Sequence, residues 1–188
     1  MILEFFRSRA SPAINFYKKI SSLILVELVW TNDNQYLAAH LPDNRFDTLS
    51  LLDVVKIVEK LIVEIEPAVI YTHHPGDLNI DHGVVFRATL TATRPVSGCP
   101  VRDLFAFEIP SSTEWSFNTY QPDFRPNVFV DITETIEMKI KAMQTYKSES
   151  RSFPHPRSPE SLRSIASHWG SVVGIEYAEA FELIRSIR

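Results

Sequence analysis

The feature of the sequence that most restricts its fold is the alternation of helical and extended patterns in its central part. After Ser50, a wide stripe of apolar residues recurs at helical spacing and ends before Pro67. The short apolar run 68–72 that follows has the length and composition of a strand buried on both faces. A polar loop, 73–80, and a second helical segment, 81–93, complete the unit. This order predicts βαβ units, and therefore an α/β fold in which helices cover both faces of a mostly parallel sheet.

The rest of the chain continues the alternation. The remaining segments predicted as strands are 23–30, 103–109 and 127–132, and those predicted as helices are 11–22, 133–147 and 159–169. The last helix opens at Ser158-Pro159, a cap residue followed by proline, and Gly170 is expected to close it. No internal repeat or low-complexity tract interrupts residues 1–188, so we expect a single domain.

Composition and charge exclude several classes of protein. The net charge of −4 is spread over well-mixed acidic and basic residues, whereas a general nucleic-acid binder needs a basic stripe. No apolar run approaches the roughly 18 residues of a membrane span. Arg7, Arg9 and Lys18 interrupt any secretory signal, and the single cysteine, Cys99, allows no internal disulfide. We therefore expect a cytoplasmic protein that binds no nucleic acid, and self-association stays open.

The loop after the strand at 68–72 holds an unusual concentration of chemically active side chains. Together with the first turn of the next helix, it contains His73, His74, Asp77, Asp81 and His82, and thus three of the six histidines in the chain. Ligands of parallel sheets collect at the carboxyl ends of the strands, where this loop begins. Imidazole and carboxylate groups held together there are typical of a metal or acid–base site. Taken singly, each residue could instead be a core histidine or a helix cap.

The sequence His-His-Pro-Gly-Asp-Leu-Asn-Ile-Asp-His, residues 73–82, resembles the second metal motif of the PIG-L/LmbE-like zinc deacetylases. Further segments agree in order: 42–47, 110–115, 127–132, 146–149, 154–158 and 177–183. The resemblance covers about residues 42–185, whereas residues 1–35 match poorly. It implies a Rossmann-like three-layer fold, one catalytic zinc ion, and removal of an acetyl group from an N-acetylglucosamine-type sugar or a related amide.

The resemblance also implies roles for individual residues. His82 is the third zinc ligand of the motif, and its neighbour Asp81 orients it. Some members have a histidine at the position of Asn79, where it steadies the oxyanion of the transition state. The Asn79 amide can donate a hydrogen bond but cannot supply a proton, so His73 or His74 is a candidate to share that role.

One part of the family pattern is missing from the sequence. The other two zinc ligands and the general base come from a His-Pro-Asp-Asp motif, which this chain does not contain. We therefore expect a truncated chain that lacks the first βαβ unit of the family. His40 and Asp43 have a spacing that would allow them to bind a metal together with His82. An alternative alignment places residues 42–47 in a downstream family segment, which would make His40 a chance neighbour.

Four further residues are candidates for substrate binding. Arg45 could pair with a phosphate or hydroxyl group, Trp115 could stack on a sugar face, and His155 with Arg157 could line the rim of a site. Each also has an ordinary structural interpretation as a surface, capping or turn residue. Two functions follow: a zinc-dependent hydrolase of an N-acetylated sugar or glycoconjugate, or a metal-free, inactive remnant that binds a ligand or a partner chain.

Overall fold

The structure of the protein is a computed structural model that describes residues 2–6, 28–30, 36–37 and 41–188. These residues form two compact units. The first unit comprises the described residues up to 125 together with residues 182–188, and the second comprises residues 126–181.

The first unit is built on a mixed sheet. Its strands are β1 (Ile2–Phe6), β2 (Leu28–Trp30), β3 (Tyr36–Leu37), β4 (Val69–His73) and β5 (Asp103–Phe107), in the order β3-β2-β1-β4-β5. The pairs β1–β2 and β4–β5 are parallel, whereas β1–β4 and β2–β3 are antiparallel. The candidate loop follows β4, whose five residues are all buried.

Two helices pack with the central strands in this unit. They are α1 (Leu51–Ile65) and α2 (Ile80–Ala92), and α1 ends at Glu66, whose left-handed backbone precedes Pro67. Their apolar side chains share one core with β4 and β5 that includes Val58, Val85 and Leu104. Phe46, in a 3-10 turn over Phe46–Thr48, is 2% exposed and packs into the same core. The segment before α1 is thereby anchored beside the start of α2.

The second unit has its own core. It contains β6 (Val128–Asp131), α3 (Ile136–Thr145), α4 (Pro159–Val173) and the first part of β7 (Ala178–Ser186). Its buried core residues are Ile132, Ile136, Ile140, Leu162 and Ala166. Strands β6 and β7 pair in an antiparallel register. Two helices in succession connect them, and because each helix reverses the chain, the second strand returns opposite to the first.

The structure confirms the α/β class and most of the predicted elements. The helices predicted at 50–66, 81–93, 133–147 and 159–169, and the strands at 68–72, 103–109 and 127–132, all correspond to observed elements. The predicted mostly parallel pairing is wrong for the sheet as a whole, which is mixed. Strands β1, β3 and β7 were not predicted. The helix predicted at 11–22 and residues 23–27 lie outside the described residues, whereas residues 28–30 are a strand as predicted.

The predicted end of the last helix is also wrong. Helix α4 passes through Gly170 and ends at Val173, and its cap residue is Gly174, whose φ of 78° is the left-handed conformation that favours glycine. Gly170 has a different reason to be glycine. A Cβ there would come within 2.6 Å of the carbonyl oxygens of Ile175 and Glu176, so it permits a close backbone approach.

None of the described helices combines the length and the apolar composition that crossing a membrane requires.

Candidate functional site

The centre of the candidate site is a hydrogen bond between His82 and Asp77. His82 lies in the first turn of α2, and its Nδ1 is 2.8 Å from the Asp77 Oδ2. The Asp77 carboxylate accepts this bond and also one from the backbone N–H of Leu78. Because the carboxylate is an acceptor, Nδ1 carries the proton and Nε2 keeps its lone pair. The side chain of His82 is 11% exposed, so this basic nitrogen belongs to a nearly buried ring.

Asp77, and not Asp81, is the residue that orients His82. Both oxygens of Asp81 are used elsewhere: Oδ1 accepts from the N–H of Phe46 at 2.9 Å and Oδ2 from that of Asn44 at 2.7 Å. The orienting role that the resemblance gave to Asp81 is therefore wrong for this structure. Sequence reasoning placed Asp77 in the loop without a role, although a carboxylate that shares a loop with a histidine is a detectable signal.

Asn79 is committed to the local backbone. It is the N-cap of α2, where its Oδ1 accepts from the N–H of Asp81 at 2.9 Å. Its Nδ2 donates to the side-chain oxygen of Asn44 at 3.1 Å. Asn79 and Asp81 together hold the segment around Asn44 against the start of α2. An oxyanion role for Asn79 stays a prediction, and the described contacts give its amide a capping role.

His73 lies flat against His82. The two imidazole rings are 4.0 Å apart and nearly parallel, with an interplanar angle of 4°. His73 is 2% exposed, and its Nδ1 is buried without a hydrogen-bond partner. Burial holds the pKa of His73 well below its ordinary 6.5, and the nearby His82 lowers it further. His73 is therefore a neutral ring that fixes the plane of His82.

This neutral histidine predicts a loss of stability in acid. Its pKa is lower in the folded than in the unfolded chain, so its contribution is fully present above pH 6.5 and is lost as the pH falls towards the folded-state pKa. The unfolding free energy of wild type should fall as the pH drops below 6.5. In His73→Phe we expect the slope of this fall to be smaller by up to about 1.4 kcal/mol per pH unit. Urea titrations at several pH values in EDTA measure this decline. The exposed His168 provides the control, His168→Gln, and equal declines in His73→Phe and wild type would contradict the prediction.

His74 connects the loop to a distant part of the first unit. Its Nδ1 is 3.0 Å from the Glu182 carboxylate, and its Nε2 is 2.8 Å from the carbonyl oxygen of Pro122. Both ring nitrogens of His74 are therefore occupied by contacts within the first unit. The other oxygen of Glu182 accepts from the N–H of Arg125. His74 thus ties residues 122–125 to the loop, which makes it a structural residue rather than an oxyanion donor.

This arrangement predicts that stability tolerates substitution of Glu182 by an amide side chain but not by a hydrocarbon side chain. In Glu182→Gln, the amide nitrogen can donate to His74 while its oxygen still accepts from Arg125, so we expect a change within about 1 kcal/mol. In Glu182→Leu, both groups lose their partner inside the protein, and the expected loss is about 2–4 kcal/mol. Chemical unfolding measures both variants. Equal losses in the two variants would show that this hydrogen-bond matching is irrelevant to stability.

The described residues supply only part of a zinc site. His82 has the properties of a metal ligand, since a carboxylate fixes its tautomer. His40 lies outside the described residues, and Asp43 is exposed, with Oδ2 accepting from the side chain of Asn44. Across residues 41–188 and the short strands described before them, no three His, Cys, Asp or Glu side chains come together to hold a metal ion. One ligand does not hold zinc, which needs three protein ligands at a catalytic site.

The predicted substrate-binding residues fall into both units. Arg45 is exposed and adjoins Asn44, which the start of α2 holds in place. Trp115 is 40% exposed and lies in a 3-10 turn, Glu114–Ser116, of the first unit. His155 and Arg157 belong to the second unit, where the N–H of Arg157 donates to Nδ1 of His155. Substrate contact by these four residues stays a prediction.

Comparison with known proteins gives one curated relative. The chain is 33% identical over 63 residues to the diacetylchitobiose deacetylase of Thermococcus kodakarensis. This match spans 34% of the chain and 24% of the relative, so the matched segment corresponds to about a quarter of that enzyme. No protein-family model matches the chain.

Solved structures share its fold at low sequence identity. A conserved protein from Thermus thermophilus superposes with a TM-score of 0.63 at 16% identity, covering 96% of this chain and 77% of the other. The N,N'-diacetylchitobiose deacetylase of Pyrococcus horikoshii gives 0.59 at 18% identity, covering 85% and 58%. Likeness at this level of identity establishes the fold alone.

Two further structures bear on chemistry. A teicoplanin deacetylase in a zinc-inhibited form superposes with a TM-score of 0.51 at 17% identity, covering 81% of this chain and 58% of the other. Zinc thus binds to a protein of this fold. The 4-carboxy-2-hydroxymuconate hydratase of Pseudomonas putida superposes at 0.53 and 18% identity, covering 85% and 66%. The same fold therefore also carries out a different reaction, and the activity of this chain must be argued from its own site.

Proposed function

We propose that this chain, which has the fold of the PIG-L/LmbE-like deacetylases, is a hydrolase that removes an acetyl group from an N-acetylated sugar or glycoconjugate. The observation that carries the proposal is the oriented imidazole of His82. It sits at the carboxyl end of β4 with its Nδ1 bound to Asp77. The deacetylases among the relatives support the reaction class.

The chemistry available to the described residues centres on one nitrogen atom. Asp77 holds the proton of His82 on Nδ1, so the lone pair of Nε2 is free to bind a Lewis acid or to accept a proton from water. His73 packs against the ring and stays neutral, because burial disfavours its imidazolium form. The site therefore offers Nε2 of His82 as its basic nitrogen, in a ring whose plane is fixed. The neutral His73 places no positive charge beside it.

Zinc is part of this proposal as the cofactor, but the described residues do not by themselves fit it. A bound zinc ion would supply Lewis-acid activation of water and of the amide carbonyl. Its remaining ligands would have to come from outside the described residues, where His40 lies. The expected general base has no counterpart among the described residues, since Pro42 precedes Asp43.

The test is to measure zinc and acetate together on the purified chain. We expect close to one zinc ion per chain after dialysis against zinc, and release of acetate from N-acetylglucosamine or N,N'-diacetylchitobiose. The matched control is the same chain stripped with EDTA, which should lose activity and regain it with zinc. Zinc below about a tenth per chain together with no acetate would overturn the hydrolase proposal.

A second candidate function is a metal-free module that binds an N-acetylated sugar without hydrolysing it. What favours it is the lack of a three-ligand group among the described residues, together with the missing His-Pro-Asp-Asp motif. This function predicts that N-acetylglucosamine binds equally well with and without EDTA. If the chain is a hydrolase, zinc should change its affinity for N-acetylglucosamine or lead to release of acetate from it.

A further inference from the structure

A single segment of the first unit is attached at both ends to the loop that carries the candidate site. We call residues 112–122 the strap. At one end, Ser112 accepts hydrogen bonds from the N–H groups of Leu78 and Asn79, each at 3.2 Å. At the other end, the carbonyl oxygen of Pro122 contacts His74 at 2.8 Å. The residues between these attachments must therefore pass close to the site loop.

The middle of the strap presents aromatic side chains to solvent. Phe117 is 79% exposed and Tyr120 is 55% exposed, in addition to the 40% exposed Trp115 considered above. Phe117 and Asn118 both have left-handed backbones, with φ of 51° and 55°. A non-glycine residue pays roughly 1–2 kcal/mol for this conformation, and such strain is concentrated at functional sites.

Successive hydrogen bonds hold the strap in this shape. The N–H of Ser116 donates to Thr113, that of Phe117 to Glu114, and that of Thr119 to Ser116. Ser116 is buried and its hydroxyl also donates to the Thr113 carbonyl. The exposed aromatic rings are thus carried by a constrained turn, which lowers the entropy cost of using them for binding.

The residues around the two rings favour a carbohydrate as the ligand. Asn118 and Thr119, between the two aromatic residues, and Gln121, directly after them, are all exposed. An aromatic face beside amide and hydroxyl groups matches a pyranose, which has one apolar C–H face and a rim of hydroxyls. A lipid-binding surface would instead expose a continuous apolar patch.

We propose that Phe117 and Tyr120 form a stacking subsite for a second sugar unit, next to the unit that the candidate site takes. The substrate class is therefore an oligosaccharide or glycoconjugate that extends beyond one N-acetylated sugar. This inference deepens the proposed function and rests on it for the identity of the first sugar. His74 and Glu182 are positioning residues, because they hold the Pro122 end of the strap.

The test compares a disaccharide with a monosaccharide in wild type and in Phe117→Ala/Tyr120→Ala. Calorimetry should give about tenfold tighter binding of N,N'-diacetylchitobiose than of N-acetylglucosamine to wild type. In the double variant this ratio should fall to about one while the monosaccharide affinity is unchanged. Both side chains are exposed, so the variants should fold. The control is Phe153→Ala, which removes an aromatic side chain that is 65% exposed outside the strap.

Cellobiose separates the failure of this inference from the failure of the proposed function. It has no acetamide, so it reports on stacking alone in saturation-transfer NMR. Loss of its signal in the double variant and retention in Phe153→Ala would support the subsite even if no acetate is released. The inference is overturned if wild type does not bind cellobiose, or if the double variant binds it equally well. It is also overturned if the double substitution only converts a dimer into a monomer, because the strap would then be a contact between copies.

Discussion

Substitution of Gly76 by alanine is expected to destabilise the first unit by at least about 3 kcal/mol. A Cβ at this position would lie 2.2 Å from the carbonyl oxygen of Pro122 and 2.9 Å from that of Tyr120. It would also lie 2.9 Å from Nε2 of His74. Two of these atoms belong to the backbone, so no side-chain rotation relieves the clash, and the strap must move away from the site loop. The same displacement breaks the bond between His74 and Pro122.

The measurement is the free energy of unfolding in urea, with Gly83→Ala as the matched control. Gly83 lies within α2, and a Cβ there would meet its nearest atom at an ordinary 3.7 Å. Alanine is favoured over glycine inside a helix, so Gly83→Ala should gain about 0.5–1 kcal/mol. A Gly76→Ala protein as stable as wild type would mean that the strap does not contact the loop as described.

The sequence was sufficient to locate the candidate site because its signals are local. The apolar run before the loop predicted β4, and the cluster from His73 to His82 predicted where chemistry would collect. The resemblance selected His82, which the structure places in the first turn of α2 with an orienting carboxylate. These features depend on residues within about ten positions of one another, which is the range over which periodicity and capping patterns operate.

The sequence did not predict the contacts that join distant segments. Glu182 lies 108 positions from its partner His74, and nothing in the local pattern of either residue indicates the pair. The same is true of Asn44 and Phe46, whose N–H groups occupy the Asp81 carboxylate. That long-range contact decided which aspartate could orient His82. The antiparallel return of β7 beside β6 was missed because β7 itself was not predicted, although two helices separate the strands.

His82 and Asp77 provide the sharpest test of the proposed hydrolase. We expect His82→Ala to reduce acetate release to the level of a blank and zinc to below about a tenth per chain, because it removes the only described imidazole with a carboxylate-fixed tautomer and a free Nε2.

Asp77→Asn should have a smaller effect, since the imidazole stays in place and only its tautomer and basicity change. Loss of such an orienting carboxylate typically costs 10- to 100-fold in metal affinity or activity. His168→Ala, which removes an exposed histidine of the second unit, is the matched control and should retain both zinc and activity. The graded order of wild type, Asp77→Asn and His82→Ala tests the pair as a unit. If His82→Ala kept half or more of its zinc and acetate release, another group would have to carry the reaction, and the assignment of His82 would be wrong.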